Sequence, residues 1–60
     1  MTREMERLIR KIGRKIKVMK WVEIDKLGIN RQIALRLRRG ETPAMRELTV
    51  ERVAIALKIA

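Results

Sequence analysis

Apolar residues in the first third of the chain recur with the period of an α-helix. They fall at i, i+3, i+4, i+7, i+11 and i+14 and form one stripe: Met5, Leu8, Ile9, Ile12, Ile16 and Met19. Thr2 stands where an N-cap is expected, and Glu4 and Glu6 follow it in the first turns, where the helix dipole favours acidic side chains. We predict a helix from Thr2 to about Lys17, in which Gly13 allows another helix to approach closely.

The pattern between Lys15 and Ile24 has two interpretations. Apolar and polar residues alternate there, which is typical of a strand. The alternative, which we prefer, is a break at Val18-Met19-Lys20 followed by a short helix from Trp21 to Leu27. In that helix Trp21, Ile24 and Leu27 share one face. Trp21 is then a half-buried anchor, and the functional alternative is an aromatic platform on which a base stacks.

A tight turn and a second helix follow. Gly28 occupies the position after a helix end where a positive φ is expected, Ile29 fills the corner, and Asn30 is a good N-cap for the next helix. That helix runs to residue 38 or 39, and Gly40 ends it. Its inner stripe consists of Ile33, Ala34 and Leu37.

The remainder predicts a loop and a last helix. Pro43 excludes helix at the residue before it, so we expect a loop from Glu41 to Glu47. Thr49 is the predicted N-cap of the last helix, with a hydrophobic staple between Leu48 and Val53. Its apolar face consists of Val50, Val53, Ala54 and Leu57. The expected fold is one all-α domain over residues 1–60, a small bundle of four or five helices.

Charge points to the class of partner. The chain has 16 Lys and Arg against 7 Asp and Glu, for a formal net charge of +9. This balance favours DNA, RNA or an anionic membrane surface, and the structural alternative is a solvated basic surface without a partner. No apolar run is long enough to span a membrane and the N-terminal residues do not form a signal peptide, so we expect a cytoplasmic protein that is nucleoid-associated if it binds DNA.

Composition argues against catalysis and bears on origin. The chain has no His and no Cys, and its acids are scattered, so we expect neither a nucleophile–base pair nor a metal site, no cofactor and no enzyme activity. Serine, tyrosine and phenylalanine are also absent. This bias indicates a thermophilic source or a redesigned sequence.

The stretch from Glu23 to Gly40 has the plan of a helix-turn-helix DNA reader: a short helix, a glycine-containing turn and a cationic second helix without an acid. It resembles the Cro and repressor-type helix-turn-helix of lambdoid phages and the bacterial xenobiotic-response regulators. The segment I-D-K-L-G ending at Gly28 is similar to that family's A-x-K-x-G block. The pattern P-x(6)-V-x-x-V-A-x-A-L-x-I from Pro43 to Ile59 is similar to its last core helix.

The resemblance implies a lambda-repressor-like bundle and a set of DNA contacts. Base-reading positions at the start of the second motif helix are Arg31, Gln32 and Arg36. Phosphate-contacting positions are Lys20, Arg38 and Arg39. The basic character of the chain adds Arg10, Arg14 and Arg46 as further phosphate contacts. The implied function is sequence-specific binding of double-stranded DNA by a repressor-like regulator, as a homodimer on DNA or as a monomer in isolation.

The sequence departs from the family at several positions. Glu23 replaces an apolar residue, Ile24 replaces a small alanine, and Arg38 stands near the place of a glutamate that pairs with an arginine of the first helix. The chain also ends where many relatives have a further helix used in dimerisation. Three alternatives therefore remain. The chain could be a repressor-like scaffold without a specific target, a basic amphipathic binder of membrane surfaces, or a ribbon-helix-helix dimer with Lys15–Ile24 as its strand.

Overall fold

The computed structural model describes residues 2–59, and this range contains four α-helices and no strand. The helices are α1 (Arg3–Ile16), α2 (Trp21–Lys26), α3 (Arg31–Arg38) and α4 (Glu47–Ala56). The all-α class predicted from the sequence is confirmed. The predicted bounds of the first three helices agree with the structure to within a residue or two.

The strand interpretation of Lys15–Ile24 is wrong. In a strand, residues whose numbers differ by an even number share one face, which would place together Ile16, Val18, Val22 and Ile24. Ile16 and Ile24 are instead fully buried, whereas Val18 is 84% exposed and Val22 is 65% exposed. Two helices with a turn between them bury the outer pair and leave the inner pair in solvent. The ribbon-helix-helix alternative, which needs this strand, is wrong for the same reason.

One apolar cluster lies inside the helices. α1 packs against both α3 and α4 and contributes the largest share of the buried isoleucines. The fully or nearly fully buried residues are Ile9, Ile12, Ile16, Ile24, Ile29, Ala34, Leu37, Val50, Val53 and Ala54. Trp21 and Leu27 are half-buried against this cluster, which confirms that they share a face of α2 with Ile24.

α1 and α3 approach each other most closely at Gly13. A Cβ atom added to Gly13 would lie 2.5 Å from the carbonyl oxygen of Leu37. A larger side chain at Gly13 would therefore require the backbone of α3 to shift, which confirms that Gly13 permits close helix packing. The contact brings the last turn of α1 against the C-terminal end of α3.

The ends of α2 and α3 are fixed by caps that the sequence predicted. Gly28 has a φ of 74° after α2, and the side chain of Asn30 accepts a hydrogen bond of 2.8 Å from the backbone N–H of Gln32. Gly40, with a φ of 86°, follows α3. The Gly40 N–H donates to the Leu37 carbonyl and the Glu41 N–H to the Arg36 carbonyl, which is the hydrogen-bond pattern of a Schellman motif.

The predicted start of α4 is wrong. The helix begins at Glu47 rather than after Thr49, and Arg46 is its N-cap residue, without a side-chain hydrogen bond to the helix. Leu48 is 80% exposed, so no staple with Val53 forms. The earlier start adds backbone hydrogen bonds, including one from the Val50 N–H to the Arg46 carbonyl, and places Glu47 at the positive end of the helix dipole.

Candidate nucleic-acid interface

α3 presents a continuous solvent-facing stripe on the side opposite its core residues. Gln32, Leu35, Arg36 and Arg39 follow one another at i, i+3, i+4 and i+7, and all four are exposed. α3 contains no acidic residue. The stripe therefore offers an amide, two guanidinium groups and one aliphatic side chain to a partner, on a helix whose opposite face is held by the core.

Arg31 lies beside this stripe and is already engaged. Its Nη2 donates to Oδ2 of Asp25 at 3.0 Å, its Nε donates to Oδ1 at 3.4 Å, and its guanidinium lies 5.3 Å from the ring centroid of Trp21. The hydrogen bond from Arg31, together with its charge, lowers the pKa of Asp25, and the carboxylate in turn raises the pKa of Arg31. The pair connects the end of α2 to the start of α3 across the turn.

The ring of Trp21 also contacts the guanidinium of Arg38. The Cζ of Arg38 lies 5.1 Å from the ring centroid, within the range of a cation–π contact. Arg38 is thus held against an aromatic face of α2. Trp21 is half-buried against the core, as the sequence predicted, and its ring contacts two guanidinium groups of α3, which the sequence did not predict.

Four of the six predicted phosphate-contacting residues converge on one cleft, which we call the α1/α3 cleft. It has a volume of about 220 Å³ and lies between the outer face of α1 and the C-terminal end of α3. Its lining consists of Arg10, Gly13, Arg14, Lys17, Leu37, Arg38, Arg39 and Gly40. Five of these residues are cationic and none is acidic.

The other two predicted phosphate contacts lie apart from the cleft. Lys20 and Arg46 are the N-cap residues of α2 and α4, and both are exposed. Lys17 is not among the predicted phosphate contacts. It follows Arg10 by seven residues and Arg14 by three, and this helical spacing places it on the same face as both arginines. The sequence did not indicate that Asp25 pairs with Arg31, because the two residues lie on either side of a turn, where helical spacing rules do not apply.

In comparisons with known proteins, no family model, no curated protein and no solved structure matches the chain. No helix within residues 2–59 is long and apolar enough to cross a membrane. In the same range no three His, Cys, Asp or Glu side chains are grouped as a metal site would require. The residues of the interface itself therefore carry the functional argument.

Proposed function

We propose that α2, the turn and α3 form a Cro/repressor-type helix-turn-helix, and that the chain binds duplex DNA sequence-specifically with α3 in the major groove. The observation that carries the proposal is the exposed, acid-free stripe of α3, flanked by the cationic α1/α3 cleft. An α-helix with its side chains is about 10–12 Å across, and the major groove is about 12 Å wide. A repressor-like regulator of transcription is the role that fits such a domain.

Base reading in this proposal depends on Gln32 and Arg36. An amide can bond adenine N6 and N7 together, and a guanidinium can bond guanine O6 and N7, each worth roughly 1–3 kcal/mol of discrimination. Both side chains are exposed and face away from the core. Arg31 would contribute through N–H groups that Asp25 does not use, or after leaving Asp25, so its contribution to affinity is reduced by the cost of that exchange.

Phosphate contacts supply most of the affinity. Each condensed counterion that a Lys or Arg replaces adds about −0.9 to the slope of log affinity against log salt. Lys20 and Arg46 would contact the backbone at helix N-termini, and Arg39 at the edge of the recognition stripe. These contacts position the domain without distinguishing sequences.

A repressor-like scaffold without a specific target is the second candidate. The engagement of Arg31 by Asp25 and Trp21 favours it, because one of the three predicted base-reading groups is occupied in the free protein. A membrane-surface binder has less support, because the apolar stripe of α1 is buried against α3 and α4 and is not free to enter a bilayer.

The test is a fluorescence-anisotropy titration against a random duplex and against duplexes selected from a random library, at several NaCl concentrations. Gln32→Ala and Arg36→Ala should each reduce the preference for selected over random DNA by roughly 5- to 150-fold, as 1–3 kcal/mol implies. Arg31→Ala should have a smaller effect. Lys20→Ala should weaken binding to both duplexes equally and reduce the salt slope by about one.

Arg7→Ala is the control, since it removes an exposed cation from α1 outside the cleft and should leave sequence preference unchanged. If no selected sequence emerges, or if the Gln32 and Arg36 variants keep the wild-type preference, α3 does not read bases. A salt slope near zero would exclude DNA binding altogether.

A further inference from the structure

The α1/α3 cleft combines positive charge from two parts of the chain, and its lining residues include five cations and no acid. Arg10 and Arg14 lie on α1 and Arg38 is the last residue of α3, and the C-cap residues of the two helices add Lys17 and Arg39. Hydrogen bonds and ion pairs to acidic side chains are absent from all five within residues 2–59. In the described part of the chain, one of the five has a partner of another kind: Arg38 contacts the ring of Trp21.

The shape of the cleft is set by backbone packing rather than by the cations. Its floor is the contact between Gly13 and Leu37, where the two helices are too close to admit even a Cβ atom. Helix packing therefore fixes the backbone positions from which mutually repelling cations surround a common space. Such repulsion is relieved when an anion enters, which makes the cleft a site that favours multivalent negative charge.

Two carbonyl groups at the end of α3 are already engaged, which reduces the opposition of this helix end to an anion. The Arg36 and Leu37 carbonyls already accept hydrogen bonds from the backbone N–H groups of Glu41 and Gly40. Glu41, the acid nearest in sequence, does not line the cleft. Four of the five cations are arginines, whose planar forks match the paired oxygens of a phosphate group better than a lysine does.

We propose that the α1/α3 cleft is a phosphate-binding site that holds its ligand between the Arg10–Arg14–Lys17 face of α1 and the Arg38–Arg39 end of α3. The phosphate comes from one of two sources. One is the DNA backbone beside the groove that α3 occupies, which rests on the proposed function and is favoured because Arg39 belongs both to the exposed stripe of α3 and to the cleft. The other is a free polyphosphate compound.

The first experiment uses tripolyphosphate alone and measures the thermal midpoint of the full chain by circular dichroism. The cleft variant is Arg10→Gln/Arg14→Gln, and the matched control is Arg3→Gln/Arg7→Gln, which removes two arginines from α1 outside the cleft. The wild type and the control should show a saturable rise of several degrees, and the cleft variant should lose most of it. An equal rise in both variants overturns the proposal, because it would mean that tripolyphosphate stabilises the protein through its total charge and not through the cleft.

The second experiment identifies the source with a random-sequence duplex, so it does not depend on base reading. If DNA phosphates enter the cleft, the cleft variant should lower the salt slope by roughly two, one for each arginine removed, and the control should leave it near the wild-type value. Equal slopes together with a selective tripolyphosphate response support a free polyphosphate as the ligand. If the Gln32 and Arg36 variants keep the wild-type sequence preference, the proposed function is wrong. The tripolyphosphate midpoints and the salt slopes on random DNA still test the cleft in that case, because neither depends on base reading.

Discussion

Gly13 shows how one position can reverse a rule of local propensity. In an exposed helix, replacing glycine by alanine stabilises by about 1 kcal/mol. At Gly13 the new methyl group would meet the Leu37 carbonyl at 2.5 Å, and that carbonyl belongs to the backbone of α3. We therefore predict that Gly13→Ala destabilises the fold, by roughly 1–3 kcal/mol as for other overpacked sites, measured by urea unfolding.

The control for this prediction is Lys11→Ala, an exposed position in the same helix where alanine should be neutral or slightly stabilising. A stabilising Gly13→Ala change would show that α1 and α3 can separate at little cost. The floor of the α1/α3 cleft would then be adjustable rather than fixed.

The Asp25–Arg31 pair gives the molecule a specific response to acid. Arg31 lowers the pKa of Asp25 in the folded protein, so the pair stabilises the fold above the ordinary carboxylate pKa, about 3.9. That contribution is lost as the pH falls through the lowered pKa. In Arg31→Gln we predict that the pKa of Asp25 rises toward its ordinary value, measured by NMR titration of the carboxyl carbon. Arg36→Gln, with the same charge change on the same helix, should leave the Asp25 pKa unchanged.

Helix caps provide a matched comparison between α3 and α4. The Asn30 side chain accepts a hydrogen bond at the start of α3, whereas the corresponding Arg46 side chain of α4 makes none. Asn30→Ala should cost about 1 kcal/mol of unfolding free energy, and Arg46→Ala should be close to neutral. Equal effects in chemical denaturation would show that the start of α3 is fixed by packing of Ile29 and not by its cap.

Helices and their glycine ends were predictable because they depend on local spacing. The stripe of α1, the cap at Asn30 and the positive φ of Gly28 and Gly40 all follow from residues within a few positions of one another. The start of α4 was mispredicted because Thr49 is a better capping residue than Arg46, and the added backbone hydrogen bonds of an earlier start outweighed that preference.

The arrangement of the candidate site depends on contacts between distant parts of the chain. Nothing in local spacing indicates that Arg31 reaches back to Asp25, or that Arg38 lies over Trp21. Four of the five cleft cations are among the phosphate contacts predicted from the sequence, but their convergence on one cleft follows from the approach of α1 to Leu37 at Gly13. The basic residues of the candidate site could therefore be predicted from the sequence, whereas the way in which the fold brings them together could not.

Charge acts on the whole molecule because the molecule is small. Its principal extents are 30 × 21 × 17 Å, comparable to the Debye length of about 30 Å at 0.01 M salt. At that ionic strength the cations behind the net charge of +9 repel one another across the entire fold. The same surplus would attract DNA, so stability and affinity should respond to salt in opposite directions.

We predict that raising NaCl from 10 to 500 mM increases the thermal midpoint by roughly 5 °C, equivalent to about 1 kcal/mol for a domain of this size, while affinity for any duplex falls. Chloride is the appropriate anion, because sulfate and phosphate also strengthen apolar burial. The Arg10→Gln/Arg14→Gln variant, with two cations fewer, should show a smaller rise. A midpoint that does not change with NaCl would contradict this prediction, since it would mean that the α1/α3 cleft cations are too well solvated to repel one another.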